Sequence, residues 1–79
     1  MARIEVVVPD LGMQSEEIKF GLWLKQPGER VEKDDDLFEV EADKATVVCE
    51  APATGTLAET TVTEGTVVTG QVIGYLDAG

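Results

Sequence analysis

The sequence predicts an all-β fold, a sandwich or barrel of about eight short strands. Three observations lead there: apolar and polar residues alternate over short runs, turn residues recur between those runs, and one stretch of the pattern repeats itself in the second half.

The strands follow in chain order. Ile4 to Val8 is a β-branched run closed by Pro9-Asp10-Leu11-Gly12, and Glu17 to Leu24 sets Ile18, Phe20 and Leu22 against Glu17, Lys19 and Gly21. Pro27-Gly28 marks a turn, and a brief pairing follows near Arg30-Val31. Phe38, Val40 and Ala42 then alternate with Glu39 and Glu41, and Val47 and Cys49 alternate with Thr46, Val48 and Glu50. This is the period of two half-buried strands joined in a hairpin by a tight four-residue turn around Lys44. Pro52 and Gly55 open the second half, with strands at Thr56 to Val62, around Thr66 to Val68, and at Val72 to Leu76. Glu64-Gly65 and Thr69-Gly70 are turns. Within this pattern Trp23 falls opposite Phe20 and Leu22, which makes it partly exposed or the mark of a bulge. The predicted core is Ile4, Val6, Val8, Ile18, Phe20, Leu22, Val31, Leu37, Val40, Val47, Leu57, Val67, Ile73 and Leu76.

The repeat pairs Val31, Asp34, Leu37 and Val40 with Val67, Gly70, Ile73 and Leu76, each set at a spacing of three, with Gly28 and Gly65 in front. It implies two related halves, each read as a sheet. Under a two-fold axis Lys44 links them at one end, and the termini meet at the opposite end.

Composition excludes several functions. A chain of 79 residues holds one small domain, and about 60% burial of its unfolded surface leaves little room for a deep catalytic pocket. The net charge of −10 repels phosphate backbones and anionic lipid, which argues against nucleic-acid and membrane roles and favours basic protein partners. The single cysteine and the lack of an apolar run of about 20 residues fit a reducing compartment, cytosol or matrix. There is no histidine, and Ser15 and Cys49 are the only serine or thiol nucleophiles, so no ordinary hydrolytic triad can form. Cys49 shares a face with Val47 and reads as a small buried hydrophobe. Asp34-Asp35-Asp36 lacks the alternating oxygens, glycine and closing glutamate of a calcium loop and reads as a solvated turn.

Lys44 is the residue with chemical promise. Asp43 suits a turn because its carboxylate accepts from amides just beyond it, which leaves the Lys44 amine at the far point of a rigid hairpin. Glu41 and Asp43 keep that amine protonated, the reverse of what a Schiff-base lysine needs. Covalent chemistry there must therefore be installed by another enzyme. An amide to a carboxylic-acid cofactor removes the charge and lengthens an already long stem. These features describe a carrier, not a catalyst.

At this point the chain resembles a lipoyl domain of the acyltransferase component of 2-oxo acid dehydrogenase complexes. Asp43-Lys44-Ala45 matches the family's attachment motif, Val8-Pro9-Asp10-Leu11-Gly12 its amino-terminal motif, and Trp23-Leu24-Lys25-Gln26-Pro27-Gly28 its tryptophan-leucine segment and turn. Gly55 and Glu64-Gly65 fall where the second half of the family has its glycines. The resemblance implies a flattened barrel of two four-stranded antiparallel sheets with quasi-two-fold symmetry, formed by residues 1–79 as one domain at the amino terminus of a longer acyltransferase chain.

It further implies lipoate on Lys44, with Asp43 and Ala45 presenting the turn, and acyl traffic with an acetyl group favoured. The implied partners are a thiamin-diphosphate-dependent 2-oxo acid decarboxylase, the acyltransferase core, dihydrolipoamide dehydrogenase and a lipoate ligase or lipoyl transferase. The isolated domain is expected to be monomeric, in a bacterial cytoplasm or mitochondrial matrix. Partner recognition falls to Leu11, Gly12, Met13, Gln14, Ser15 and Glu16, with Glu41 beside the turn; Met13-Gln14-Ser15 departs from one pattern common in that loop. The competing readings are a biotin carrier, whose lysine is usually flanked by methionines, the longer glycine-cleavage carrier, and an unmodified structural module of the same fold.

Overall fold

The computed structural model describes residues 2–11, 18–42 and 45–78. Eight strands form in the expected order: β1 (Ala2–Val7), β2 (Ile18–Trp23), β3 (Arg30–Val31), β4 (Asp36–Ala42), β5 (Ala45–Glu50), β6 (Gly55–Thr60), β7 (Thr66–Val67) and β8 (Val72–Ala78). They make two four-stranded antiparallel sheets, ordered β1-β8-β6-β3 and β5-β4-β2-β7. The halves of the chain are therefore not separate sheets, as the repeat alone suggested. With the halves divided at the Lys44 turn, each sheet takes two strands from each half, so folding either half alone would leave both sheets incomplete.

The internal repeat is real at the level of the backbone. Val31, Leu37 and Val40 are fully buried, as are Val67, Ile73 and Leu76. Between them Asp34 and Gly70 both take left-handed conformations, at φ 74° and 86°. Their amides donate to equivalent carbonyls, Asp34 N to Ala51 O at 3.0 Å and Gly70 N to Val8 O at 2.8 Å. The side chains of Asp35 and Gln71 then close matching loops by accepting from Glu32 N and Val68 N. Gly28 and Gly65, at φ 97° and 94°, occupy the two preceding turns. In the first of these, Pro27 sets the leading φ, Gly28 supplies the positive one, and Glu29 N closes on Gln26 O at 2.9 Å.

Four register shifts interrupt the ladders; one lies in β1–β8 between Val6 and Val7, and the other three account for where the strict two-residue period fails. The β2–β4 register shifts between Phe20 and Leu22, around Gly21, where a Cβ would stand 2.9 Å from the Glu39 carbonyl oxygen. Past this extra residue the inward phase changes: Phe20 is buried, Leu22 is 48% exposed, and Trp23 turns in against the core. Leu22 is thus removed from the predicted core, and the bulge reading of Trp23 holds. A second shift between Asp36 and Phe38 lets Leu37 and Phe38 both bury fully, a pair that alternation alone cannot accommodate. The third lies between Leu57 and Glu59, at the position in β6 equivalent to Gly21.

The core also includes Ala42, Cys49 and Ala51, while Ile4 and Val47 are half-buried against it. At one end Phe20, Trp23 and Phe38 form an aromatic cluster with ring centroids 5.4–6.1 Å apart.

Candidate functional site

The β4–β5 hairpin supports the candidate site. Its ladder runs from Phe38↔Cys49 through Val40↔Val47 and Glu41↔Thr46 to Ala42↔Ala45. Strand β5 therefore begins two residues earlier than the four-residue turn expected from alternation, and only Asp43 and Lys44 connect the last paired residues. The small side chains of Ala42 and Ala45 suit a ladder that closes this tightly. Asp43 and Lys44 themselves lie outside the described residues, as do Gly12, Met13, Gln14, Ser15 and Glu16.

What holds the two flanking strand ends in place is well defined. β4 is paired on both sides, with β2 and β5, and inserts Leu37, Phe38, Val40 and Ala42 into the core. A strand so tied cannot drift without breaking two ladders. Ala45 and Thr46 are exposed at the start of β5. Glu41 is exposed at the end of β4 and is in register with Lys19 of β2 on one side and Thr46 on the other, so the carboxylate faces a cation across the strand pair.

Lysines 19, 25 and 33 occupy other settings: mid-strand in β2, after β2, and the loop before β4, where Lys33 N donates to Thr54 Oγ1 at 2.9 Å. Lys44 is the lysine at the closing connection of a hairpin. A lysine amine is the group that amide attachment of a carboxylic acid requires.

Leu11 is half-buried against the core and lines an open cleft between β1 and β5. Of the expected recognition residues described, Leu11 belongs to this cleft and Glu41 to the hairpin end. Cys49 is buried, and desolvation raises its thiol pKa above the ordinary value, so it stays a protonated hydrophobe at neutral pH. Asp35 spends one carboxylate oxygen on its own loop, accepting from Glu32 N at 3.1 Å.

Two four-stranded sheets with a lysine in the connection of a paired hairpin are the architecture of cofactor-attachment carrier domains, and comparisons with known proteins put the chain in that class. The family model described as biotin-requiring enzyme, with biotin and lipoyl attachment in its name, matches residues 4–76. In the solution structure of the lipoyl domain of the 2-oxoglutarate dehydrogenase complex from Azotobacter vinelandii, 99% of the chain aligns with all of this one, at a TM-score of 0.69 and 30% identity. The chain therefore belongs to the biotin/lipoyl-attachment family, and within it to the lipoyl domains.

Among curated relatives, the succinyltransferase component of the 2-oxoglutarate dehydrogenase complex of Rickettsia conorii is 36% identical over 98% of this chain. The acetyltransferase component of the pyruvate dehydrogenase complex of Staphylococcus aureus is 41% identical over 94%. The chain spans 20% and 17% of those two proteins. The likeness covers acetyl- and succinyltransferase components alike.

Proposed function

We propose that Lys44 holds lipoate in amide linkage through Nζ and that the domain carries acyl groups and reducing equivalents between the active sites of a 2-oxo acid dehydrogenase complex. The observation that supports this most is the β4–β5 register, which runs without a shift from Phe38↔Cys49 to Ala42↔Ala45 and leaves Asp43-Lys44 as the connection. Bound there, lipoate supplies a redox-active dithiolane on a long flexible arm.

The chain's own part is positional. The Lys44 amine becomes a neutral amide, so the domain's formal charge moves from −10 to −11. Asp43 and Ala45 present the lysine to a lipoate ligase and the loaded turn to a thiamin-diphosphate-dependent decarboxylase. Leu11 to Glu16 and Glu41 contribute to the choice of decarboxylase. Tethering to an acyltransferase core, of which this is one amino-terminal domain, keeps the arm at high effective concentration beside the decarboxylase, the core and a dihydrolipoamide dehydrogenase. The bacterial origin of the relatives supports the cytoplasm as the setting of such a complex.

The test is reductive acylation of the lipoylated domain by pyruvate- and 2-oxoglutarate-specific decarboxylases in parallel. Rapid acylation by one, with acetyl the favoured group, supports the proposal. Acylation by neither, at rates no better than free lipoamide, counts against it.

A further inference from the structure

Strand β1 is the edge of one sheet and β5 the edge of the other, and they occupy equivalent places in the internal repeat. The sandwich stays open between them, in a cleft of about 430 Å³. Its apolar lining includes Val7, Pro9, Leu11, Val48 and Pro52. Val7 and Val48 leave 39% and 45% of their surface in water. Pro9 and Pro52 follow the two edge strands and offer no N–H to an added strand, so the cleft is suited to side chains more than to a β-strand.

Glu5, Asp34 and Glu50 also line the cleft, and no cation does so among the described residues. Glu50 stands opposite Asp36 in the β4–β5 register, a like-charge pair that costs stability. The ion pairs found among the described residues join Arg3 to Glu59 and Asp77 and leave these carboxylates without a cation. An apolar cleft bordered by carboxylates, with no cation among its described lining residues, calls for a ligand that is apolar in the middle and cationic at its flanks.

We propose that the β1–β5 cleft is a docking site for a basic segment of a partner protein, which inserts an aliphatic side chain between Val7 and Val48 while flanking lysines or arginines meet Glu5, Asp34 and Glu50. Electrostatics also decides against the other occupants. A second copy would bring together two chains of −10, and an anionic membrane would be repelled. The site does not depend on lipoylation of Lys44.

The probe is a short synthetic peptide with one leucine between lysines and arginines, titrated into the isotope-labelled, unlipoylated chain and followed by amide chemical shifts. Saturating shifts are expected at Val6, Val7, Val48, Cys49 and Glu50. Affinity should fall roughly tenfold when the leucine becomes serine, when the cations become glutamine, or in Val48→Ser and Glu50→Lys chains, whose substituted positions are exposed and leave the core intact. Equal binding of the serine peptide would reduce the interaction to bulk charge and overturn the proposal. So would shifts elsewhere or none at all. Shifts of the same amides on dilution alone would assign the cleft to a second copy. Shifts there on lipoylation alone would assign it to the arm.

Discussion

The indole Nε1 of Trp23 donates to the backbone carbonyl of Val62 at 2.8 Å, tying the end of β2 in one sheet to the chain leaving β6 in the other. The bond exists because the Gly21 bulge turns Trp23 inward. Trp23→Phe keeps most of the packing but leaves the carbonyl without its partner, which should cost about 1–3 kcal/mol. In a domain of this size each kcal/mol lowers the melting midpoint by about 4–8 °C. Thermal melts followed by circular dichroism would show it; an unchanged midpoint would mean the bond contributes nothing.

Trp23 also covers Gly74. A Cβ at that position would stand 2.9 Å from the tryptophan Cη2 and 2.6 Å from the Glu59 carbonyl oxygen, the second of which is backbone and cannot swing aside. Gly74→Ala should therefore destabilise by about 1–3 kcal/mol. Combining it with Trp23→Phe should not rescue the loss, because the carbonyl contact remains. A double-mutant cycle in denaturant measures this directly.

Gly70 and Asp34 share a left-handed backbone but not a residue type. Nothing lies within 4 Å of a Cβ built at Gly70, so the cost of substitution there is conformational alone. Gly70→Ala should lose about 1 kcal/mol, and Gly70→Asp less, since aspartate tolerates this region. The order of the two denaturation midpoints is the readout.

Cys49 links stability to alkaline pH. Its folded pKa is raised by burial above the ordinary 9.0, so the unfolded chain ionises first. The stability this thiol confers is complete below about pH 9 and is lost as pH rises through the folded value. Native Cys49 should also resist iodoacetamide at neutral pH and react promptly in denaturant. Equal rates in both conditions would contradict its burial.

The strands were legible because alternation is a local signal, and even the short pair Arg30–Val31 and Thr66–Val67 fell where expected. Two of the core misassignments share one cause. Leu22 and Phe38 adjoin bulges, and an extra residue in a ladder shifts the phase without leaving a composition of its own. Gly21 was the available hint, since a glycine inside an alternating strand signals a bulge or a close approach. The mixing of the two halves between sheets was not legible, because a repeat gives equivalence and not pairing. Nor was the β1–β5 cleft, whose walls are strands far apart in sequence. The hairpin that closes through Asp43-Lys44 was legible from alternation, although its paired strands run two residues further than expected, and Leu11 entered the reading through the family motif rather than through any periodicity.

The central claim is that Lys44 is the attachment point for lipoate. The direct test incubates the purified chain with lipoate, ATP and a lipoate ligase, and in parallel with biotin, ATP and a biotin ligase, followed by intact mass and peptide mapping of wild type and Lys44→Arg. The account predicts a single lipoyl addition mapped to Lys44, none in the variant, and no biotinylation. A folded chain that takes biotin instead, takes lipoate at another lysine, or takes neither would contradict it.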